Sequence, residues 1–416
     1  MTRCLWLART LPFPWTAGDR IYTAKLAGAL GHAGAEVTFA GFAAEVPPQP
    51  MSGITWHVVP GQPRGRLPAL ASPMPLVAAR HDVPAYRAAL GELARKGPWQ
   101  AVVVDQYGMG WALRHRHLFA GDPTFVFVTH DHEASVTGMQ WRDATASLGK
   151  RLYLGQNYLK TRHFERWIAR NSHLVTTITE ADAALFAADA PAARVLTLVP
   201  GYDGTRVAAR RIGPETPRAV VLFGSYRWSA KQANLRIFLD KADPILARAG
   251  IEIRVVGDMP EDFRRTLEGR YQAARFTGFV EDPAPHLAAA RMAVLAEPIG
   301  GGFKMKLLEY IFNRVPVAAL SACASGLPPE VQAEMLLEPE LDGLLRRVQV
   351  VIDQPAQLNA WQERAFAAAA DAFDWADRGR LLLEAIEERR GAPLRSAAKQ
   401  TKTYSSLGQA IDTGKA

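Results

Sequence analysis

The feature that most constrains this chain is a unit that occurs twice. Cys4–Ala8 is a short apolar run, followed by a turn-rich loop with Pro12, Pro14 and Gly18. A helical stretch then runs from about Asp19 to Ala33, and a second apolar run follows at Glu36–Ala40. In the other half Ala219–Phe223, the loop Gly224–Lys231, a helical stretch Gln232–Ala249 and the run Ile251–Val256 repeat that order. Leu5 to Val37 and Val221 to Ile253 each span 32 positions. The second helical stretch sets Leu235, Phe238, Leu239, Ala242, Ile245, Leu246 and Ala249 at the i, i+3, i+4, i+7 spacing of one buried face. A strand, loop, helix and strand of this size form a βαβ unit whose strands lie parallel in one sheet.

Two such units predict an α/β chain of two Rossmann-like domains. Further apolar runs read as strands: Ala101–Asp105, Phe125–Thr129, Leu174–Ile178 and Leu196–Pro200 in the first half, Ala274–Thr277 and Met292–Ala296 in the second. Asp203–Arg218, with Gly204, Gly213, Pro214 and Pro217, reads as the connection between domains. The expected division is a domain over 1–205, a linker over 206–217, a second domain over 218–375, a closing helix over 376–392 and a polar, disordered tail over 393–416. Doubly wound sheets bind ligands beyond the carboxyl ends of their strands. Two facing sheets therefore predict a site in the cleft between them.

Composition narrows the class. At 416 residues, 48% of them hydrophobic and 22% charged, the chain has enough apolar side chains for two ordinary cores. Cys4 and Cys323 are far apart, with no CxxC or Cys/His cluster, which argues against a disulfide framework and a structural zinc site. Arg9, Pro12 and Pro14 interrupt the apolar start, so it reads as a buried strand rather than a signal peptide. No apolar run approaches the ~20 residues of a membrane span, and the expected location is cytoplasmic, with peripheral membrane contact open. The net charge of +8 suggests an acidic partner: nucleotide phosphates, an anionic membrane surface or nucleic acid. Nucleic acid rests on charge alone, with no recognised motif behind it.

The chemistry concentrates after the run Met292–Ala296, where Glu297-Pro298-Ile299 leads into Gly300, Gly301 and Gly302. A helix is expected from near Phe303, with apolar spacing through Lys304–Phe312. Glycines before a helix let backbone N–H groups approach phosphate oxygens, and Lys304 and Lys306 add full charge. Glu309, two turns in on that reading, is placed to accept hydrogen bonds from a ribose diol. The competing reading is a glycine-rich turn with solvated lysines and a surface glutamate.

Pro298–Glu309 resembles the donor-binding segment of the GT-B glycosyltransferases called group 1, or family 4. Tyr310–Ala319 with Pro316 is similar to that family's continuation, and Gly278-Phe279-Val280 with Leu287–Ala296 to the stretch before it. Gly224-Ser225-Tyr226-Arg227-Trp228 resembles the first turn of the donor domain. Pro12–Val37 resembles the opening of the acceptor domain, and Thr179–Ala187 with Val199–Asp203 its end. The resemblance implies an N-terminal acceptor domain and a C-terminal donor domain facing across a cleft. It implies transfer with retention from a nucleotide-sugar donor of UDP or GDP type, with no metal and no further cofactor. It assigns the diphosphate to the glycine loop (Gly300, Gly301, Gly302, Phe303) with Lys304 and Lys306, the ribose to Glu309, and supporting cations to Arg227 and Lys231. The family commonly carries two glutamates separated by seven residues; Glu309 is the second, and Gly301 stands at the first. Sugar recognition is therefore open, and Glu297, which precedes the loop, does not inherit that role.

On the other side, Thr129-His130-Asp131-His132-Glu133 follows a strand at its carboxyl end. The resemblance aligns His130 with a cleft histidine near sugar and phosphate, suited to orienting the donor or handling the acceptor proton. Asp131, His132 and Glu133 are alternatives, one of which caps the following helix. Gly18 in the opening loop and Asp105 at a strand end complete the expected acceptor side. Trp141–Asn171 carries seven Lys or Arg against Asp143 and Glu165, interleaved with Trp141, Tyr153, Tyr158, Phe164 and Trp167. Such a stretch is either an ordinary half-buried helix or a surface for anionic lipid or a lipid-linked acceptor. The function expected is sugar transfer to a glycan or lipid-linked acceptor in surface polysaccharide synthesis. A nucleotide-sugar epimerase or hydrolase, and a non-catalytic nucleotide-sugar-binding protein, are the alternatives.

Overall fold

The structure, a computed structural model, describes residues 1–13, 18–43, 51–142, 147–299 and 302–390. Among these residues the two units form two parallel sheets. The first contains β1 (Thr2–Thr10), β2 (Ala35–Phe42), β3 (Ile54–Val59), β4 (Ala101–Asp105), β5 (Thr124–Val128), β6 (Leu174–Thr177) and β7 (Arg194–Thr197). Its spatial order is β3-β2-β1-β4-β5-β6-β7. The second contains β8 (Ala219–Phe223), β9 (Glu252–Val256), β10 (Ala274–Gly278), β11 (Met292–Leu295), β12 (Val317–Leu320) and β13 (Leu336–Glu338), in the order β10-β9-β8-β11-β12-β13. In each sheet the chain first builds outward in one direction and then returns to build in the other. The reversals lie between β1 and β4 and between β8 and β11, where a doubly wound sheet opens a crevice at its strand ends.

Helix α1 (Gly18–His32) joins β1 to β2, and α2 (Glu133–Arg142) and α3 (Leu148–Arg170) follow β5. In the second domain α4 (Ser229–Arg248) joins β8 to β9, and α5 (Lys306–Phe312) follows β11. Two long helices, α6 (Pro355–Ala369) and α7 (Trp375–Arg389), come after β13. The two βαβ units are commensurate in register as well as in sequence. Cys4 lies opposite Val37 and Val220 opposite Ile253, an offset of 33 in both, one more than the spacing read from the apolar runs.

Both faces of the first sheet are buried. Cys4, Trp6 and Ala8 face one core and Leu5 and Leu7 the other, so β1 reads as an unbroken apolar run although it alternates in space. Strands β3, β12 and β13 were not expected from the apolar pattern. β3 is an edge strand with a mostly half-exposed face, and β13 spans three residues, so neither leaves a strong signal.

Helix α7 leaves the second domain and packs on the first. Asp374 caps it by accepting the Ala376 N–H at 2.9 Å. Trp375, Leu382, Ala385 and Ile386 then join the core that holds Trp6, Leu26 and Leu30. The approach to α1 is close enough that a Cβ on Gly379 would overlap the Ala29 carbonyl. Thr2 Oγ1 donates to Glu387 at 2.7 Å and Arg389 pairs with Asp122 at 2.9 Å, tying the helix to the first sheet and the loop before β5. The tail read as disordered, and Gly300 and Gly301, lie outside the described residues. Both cysteines are buried and unbonded to each other. Among the described residues no helix is long and apolar enough to cross a membrane.

The Gly379 contact makes a direct prediction. Gly379→Ala forces α7 away from α1 and is expected to lower stability by about 1–3 kcal/mol, read from the urea unfolding midpoint.

Candidate active site

The carboxyl ends of β4 and β5 carry a buried hydrogen-bond chain. Trp6 Nε1 donates to Asp105 Oδ2 at 2.9 Å, and Asp105 Oδ1 lies 3.0 Å from His130 Nε2. The other ring nitrogen, His130 Nδ1, is 3.1 Å from the Gln106 side-chain amide nitrogen. A carboxylate accepts and an amide nitrogen donates, so the imidazole proton sits on Nε2 and the Nδ1 lone pair faces Gln106. Thr23 Oγ1 of α1 stands 3.4 Å from Nε2, and the Tyr22 ring meets the imidazole edge-on at 5.2 Å. Gln106 has φ 62 and ψ 158, a region normally left to glycine. That strain aims its amide at His130. A recess opens beside this chain, lined by Arg9, Asp19, Arg20, Thr23, Asp105 and Gln106 among others.

The residues after His130 divide their roles. Asp131 faces the second domain: a Cβ on Gly302 would overlap its Oδ1, and that oxygen is buried without a hydrogen-bond partner. Burial, reinforced by the charge of Asp182, raises the Asp131 carboxyl to about 6. His132 turns inward, with Nδ1 2.7 Å from Ser135 Oγ and Nε2 3.5 Å from Asp189. The start of α2 is capped by a residue from α3: Glu165 accepts the Glu133 and Ala134 N–H groups at 2.9 and 2.8 Å. Glu133 is raised by burial, and by the Asp131 charge, to about 7.

In the second domain three lysines converge on one carboxylate. Glu297, just beyond β11, hydrogen-bonds Lys231 of α4, accepts from Lys306 Nζ at 2.7 Å and lies 3.8 Å from Lys304 Nζ. Burial by itself would raise the Glu297 carboxyl, but the charges of Lys306 and Lys231 and their hydrogen bonds overcome it and hold it at about 2. Burial lowers both Lys304 and Lys306. The turn after β8 admits this cluster because Gly224 has φ +154 and no side chain, so that Lys306 Nζ comes within 2.9 Å of where a Cβ would stand. Asn234 fixes the entry to the glycine segment, donating to Ile299 O at 2.8 Å and accepting Ile299 N–H at 3.0 Å. Phe223, Tyr226, Lys231, Asn234, Glu297 and Lys306 line a small recess here.

The helix expected from Phe303 begins at Lys306, so Glu309 stands in its first turn rather than its second. Gly302 is left-handed, with φ +71, and Phe303 is turned into apolar contact with the cores of both domains. Helical dihedrals begin only at Met305. Glu309 is held by Tyr202 Oη at 3.2 Å and by Asn313 Nδ2 at 2.9 Å, and its carboxyl is raised by burial. Tyr202 stacks on Phe312 with ring centroids 4.5 Å apart.

The structure thus brings Gly302 against Asp131, and a Cβ on Gly18 at the start of α1 would lie 3.9 Å from Met305 Sδ. Asp131, whose carboxyl also feels the Lys304 charge, faces the segment that carries Lys304, Lys306 and Glu309. Arg227 stands apart: its side chain is 71% exposed and pairs with Asp258. Gln106, Asn234, Tyr202 and Glu297 are site residues that the sequence reading did not select. Asn313, which ends α5 four residues after Glu309, is a fifth, and that spacing is the signal that could have found it. Among the described residues no group of three or more His, Cys, Asp or Glu could hold a metal ion.

Both halves of the chain match known glycosyltransferase families. Residues 217–353 match the family model described as glycosyl transferases group 1, and residues 18–201 match the glycosyl transferase 4-like domain. Sucrose-phosphate synthase from Thermosynechococcus elongatus superposes with a TM-score of 0.68 at 17% identity, covering 94% of this chain and 100% of that one. WaaG, a glycosyltransferase involved in lipopolysaccharide biosynthesis, gives 0.63 at 18% identity over 92% and 99%. HepE of Anabaena, solved in complex with UDP and glucose, gives 0.62 at 14% identity over 93% and 100%. These similarities are of fold. No curated protein sequence matches the chain significantly.

Two pH responses follow from the carboxylates. The folded value of Glu297 lies below its ordinary 4.5, so its ionised form stabilises the fold above about pH 4.5 and that contribution drains away as pH falls toward 2. Glu297→Gln is expected to cost about 3 kcal/mol at neutral pH, because it leaves buried ammonium groups without their carboxylate, and to flatten the acid limb of a stability–pH curve. The sign is opposite for Asp131, whose folded value of about 6 lies above its ordinary 3.8. Its ionisation opposes folding as pH rises through that window, so Asp131→Asn is expected to add on the order of 1–2 kcal/mol near pH 8 and nothing near pH 3.5, by urea titration.

Proposed function

We propose, given that the chain belongs to the group 1 glycosyltransferases, that it moves a sugar from a UDP- or GDP-sugar to a glycan or lipid-linked acceptor with retention of configuration. The observation that carries this reading is the set of Lys231, Lys304 and Lys306 around Glu297 at the reversal point of the second sheet, with the Asp105–His130 pair at that of the first. Three ammonium groups share one carboxylate, so among these four side chains positive charge exceeds negative. A diphosphate suits that excess, and its negative charge grows as the sugar–oxygen bond breaks. Gly302 lets the backbone come close at the same place, and Glu309 is the ribose carboxylate of this reading. UDP and glucose in the HepE structure support a nucleotide and a sugar as ligands of this fold.

On the acceptor side the hydroxyl oxygen forms the new bond to the sugar carbon, and the bond from that carbon to the diphosphate breaks. The hydroxyl proton passes to the departing phosphate oxygen on the same face, which retains configuration. His130 orients the donor. Its Nε2 proton is committed to Asp105, and its Nδ1 lone pair becomes available to a sugar hydroxyl once the Gln106 amide swings away. Asp131 and Gly18 line the same gap, while Arg227 acts at the rim. WaaG's role in lipopolysaccharide biosynthesis supports a surface polysaccharide pathway, with cytoplasmic donor as the source of sugar.

Calorimetry with UDP and GDP tests the donor half. Glu309→Ala is expected to weaken the better nucleotide roughly 10–100-fold, the worth of a charged hydrogen-bonding partner. Unchanged affinity would remove Glu309 from the donor site. His130→Ala is expected to lower kcat about 100-fold with nucleotide affinity preserved. Sugar release that does not depend on any acceptor would instead identify a hydrolase or epimerase.

A further inference from the structure

Helix α3 is unlike the other long helices in what it shows to solvent. Its second half is conventional: Phe164, Ile168 and Ala169 are buried, and Arg166 pairs with Asp189 at the edge. In its first half leucines point outward, with Leu148 75%, Leu152 67% and Leu159 60% exposed. At ~100° per residue these three fall within about 40° of one another, a single stripe along the helix. The gap in the stripe is filled from α2. Trp141, 38% exposed, lies over Gly155, where a Cβ would come 2.9 Å from the indole nitrogen. Gly155 sits between Leu152 and Leu159 on the same side, so the indole continues the apolar line. Trp141 is held there by stacking on Tyr158, with centroids 5.6 Å apart.

Charge borders this line on one side. Arg151 and Arg162 are both exposed and fall within about 60° of the stripe's leading edge. The only carboxylate on α3 is Glu165, which is buried and spent on the N–H groups of α2. No acid of the helix therefore offsets the two guanidinium groups.

We infer that the Leu148–Leu152–Trp141–Leu159 line, flanked by Arg151 and Arg162, is a surface that docks on a membrane containing anionic lipid. Three exposed leucines in a row carry a standing cost in water, which burial among acyl chains would reverse. Trp141 suits the headgroup boundary, with an apolar ring and one polar N–H. The arginines supply attraction that a neutral surface would not satisfy. Nucleic acid would use the arginines and leave the leucines in water, so the leucines decide for lipid. The helix α2 that carries Trp141 starts directly after His130, Asp131 and His132. Docking would therefore place a membrane one short helix away from the cleft, within reach of an acceptor embedded in it.

The test is sedimentation of the full chain with vesicles of phosphatidylcholine alone and with roughly 30% phosphatidylglycerol. The wild type is expected to sediment with the anionic vesicles and not with the neutral ones, and added salt should release it. The triple variant Leu148→Ser, Leu152→Ser, Leu159→Ser and the double variant Arg151→Glu, Arg162→Glu are each expected to lose at least ~10-fold in partitioning. All five positions are exposed, and unchanged thermal unfolding would show that the variants fold. The inference is overturned if the wild type binds neither vesicle, binds both equally, or is matched by both variants. It is also overturned if light scattering shows a dimer that the triple variant breaks, since a second copy would then occupy the stripe. Nucleotide affinity is measured separately, so failure here leaves the donor assignment intact.

Discussion

Placing three ammonium groups at the mouth of a buried sheet is costly, and Glu297 is what makes it possible. Charges taken out of water repel one another strongly unless a counter-charge lies within hydrogen-bond reach. The carboxylate stands beyond β11, at the point where the second sheet reverses, and draws in one lysine from α4, one from the segment before α5 and one from α5 itself. The pairs thus do more than store charge. They fasten α4 and α5 to the same strand end. A buried ion cluster of this kind is a poor source of stability and a good source of position.

The first domain solves the corresponding problem with neutral and singly charged groups. Trp6, Asp105, His130 and Gln106 form a hydrogen-bonded line in which both ring nitrogens of the imidazole are engaged. One sheet end therefore gathers an excess of positive charge and the other a chain of hydrogen-bonding groups, on two sheets of matched topology.

The fold was legible because β1, β4, β8 and β11 are buried on both faces and write themselves as apolar runs, each followed by a loop. The edge strand β3, half in water, and β13, three residues long, leave no such trace. In the site, Glu309, Lys306, Asp105 and His130 stood out because each is a charged or ionisable residue next to a strand end or a glycine loop. Glu297 did not, because its importance lies in three lysines from separate segments. Tyr202 was hidden for the same reason, since it reaches Glu309 across more than a hundred residues. Gln106 owes its role to a backbone angle that its residue type does not advertise. The basic, aromatic stretch around α3 left two readings open; the half-buried helix describes its second half, while leucines stand exposed along its first.

Helix α7 gives the chain an order of completion. The apolar face around Trp6 and Leu30 is covered by Trp375, Leu382 and Ile386, which are made long after the strands they cover. On the ribosome the second domain, whose parts are contiguous, has everything it needs first. The earlier-born domain must wait with one face uncovered until residue 386 emerges. Its last packing step is then supplied by a helix made after the whole of the second sheet.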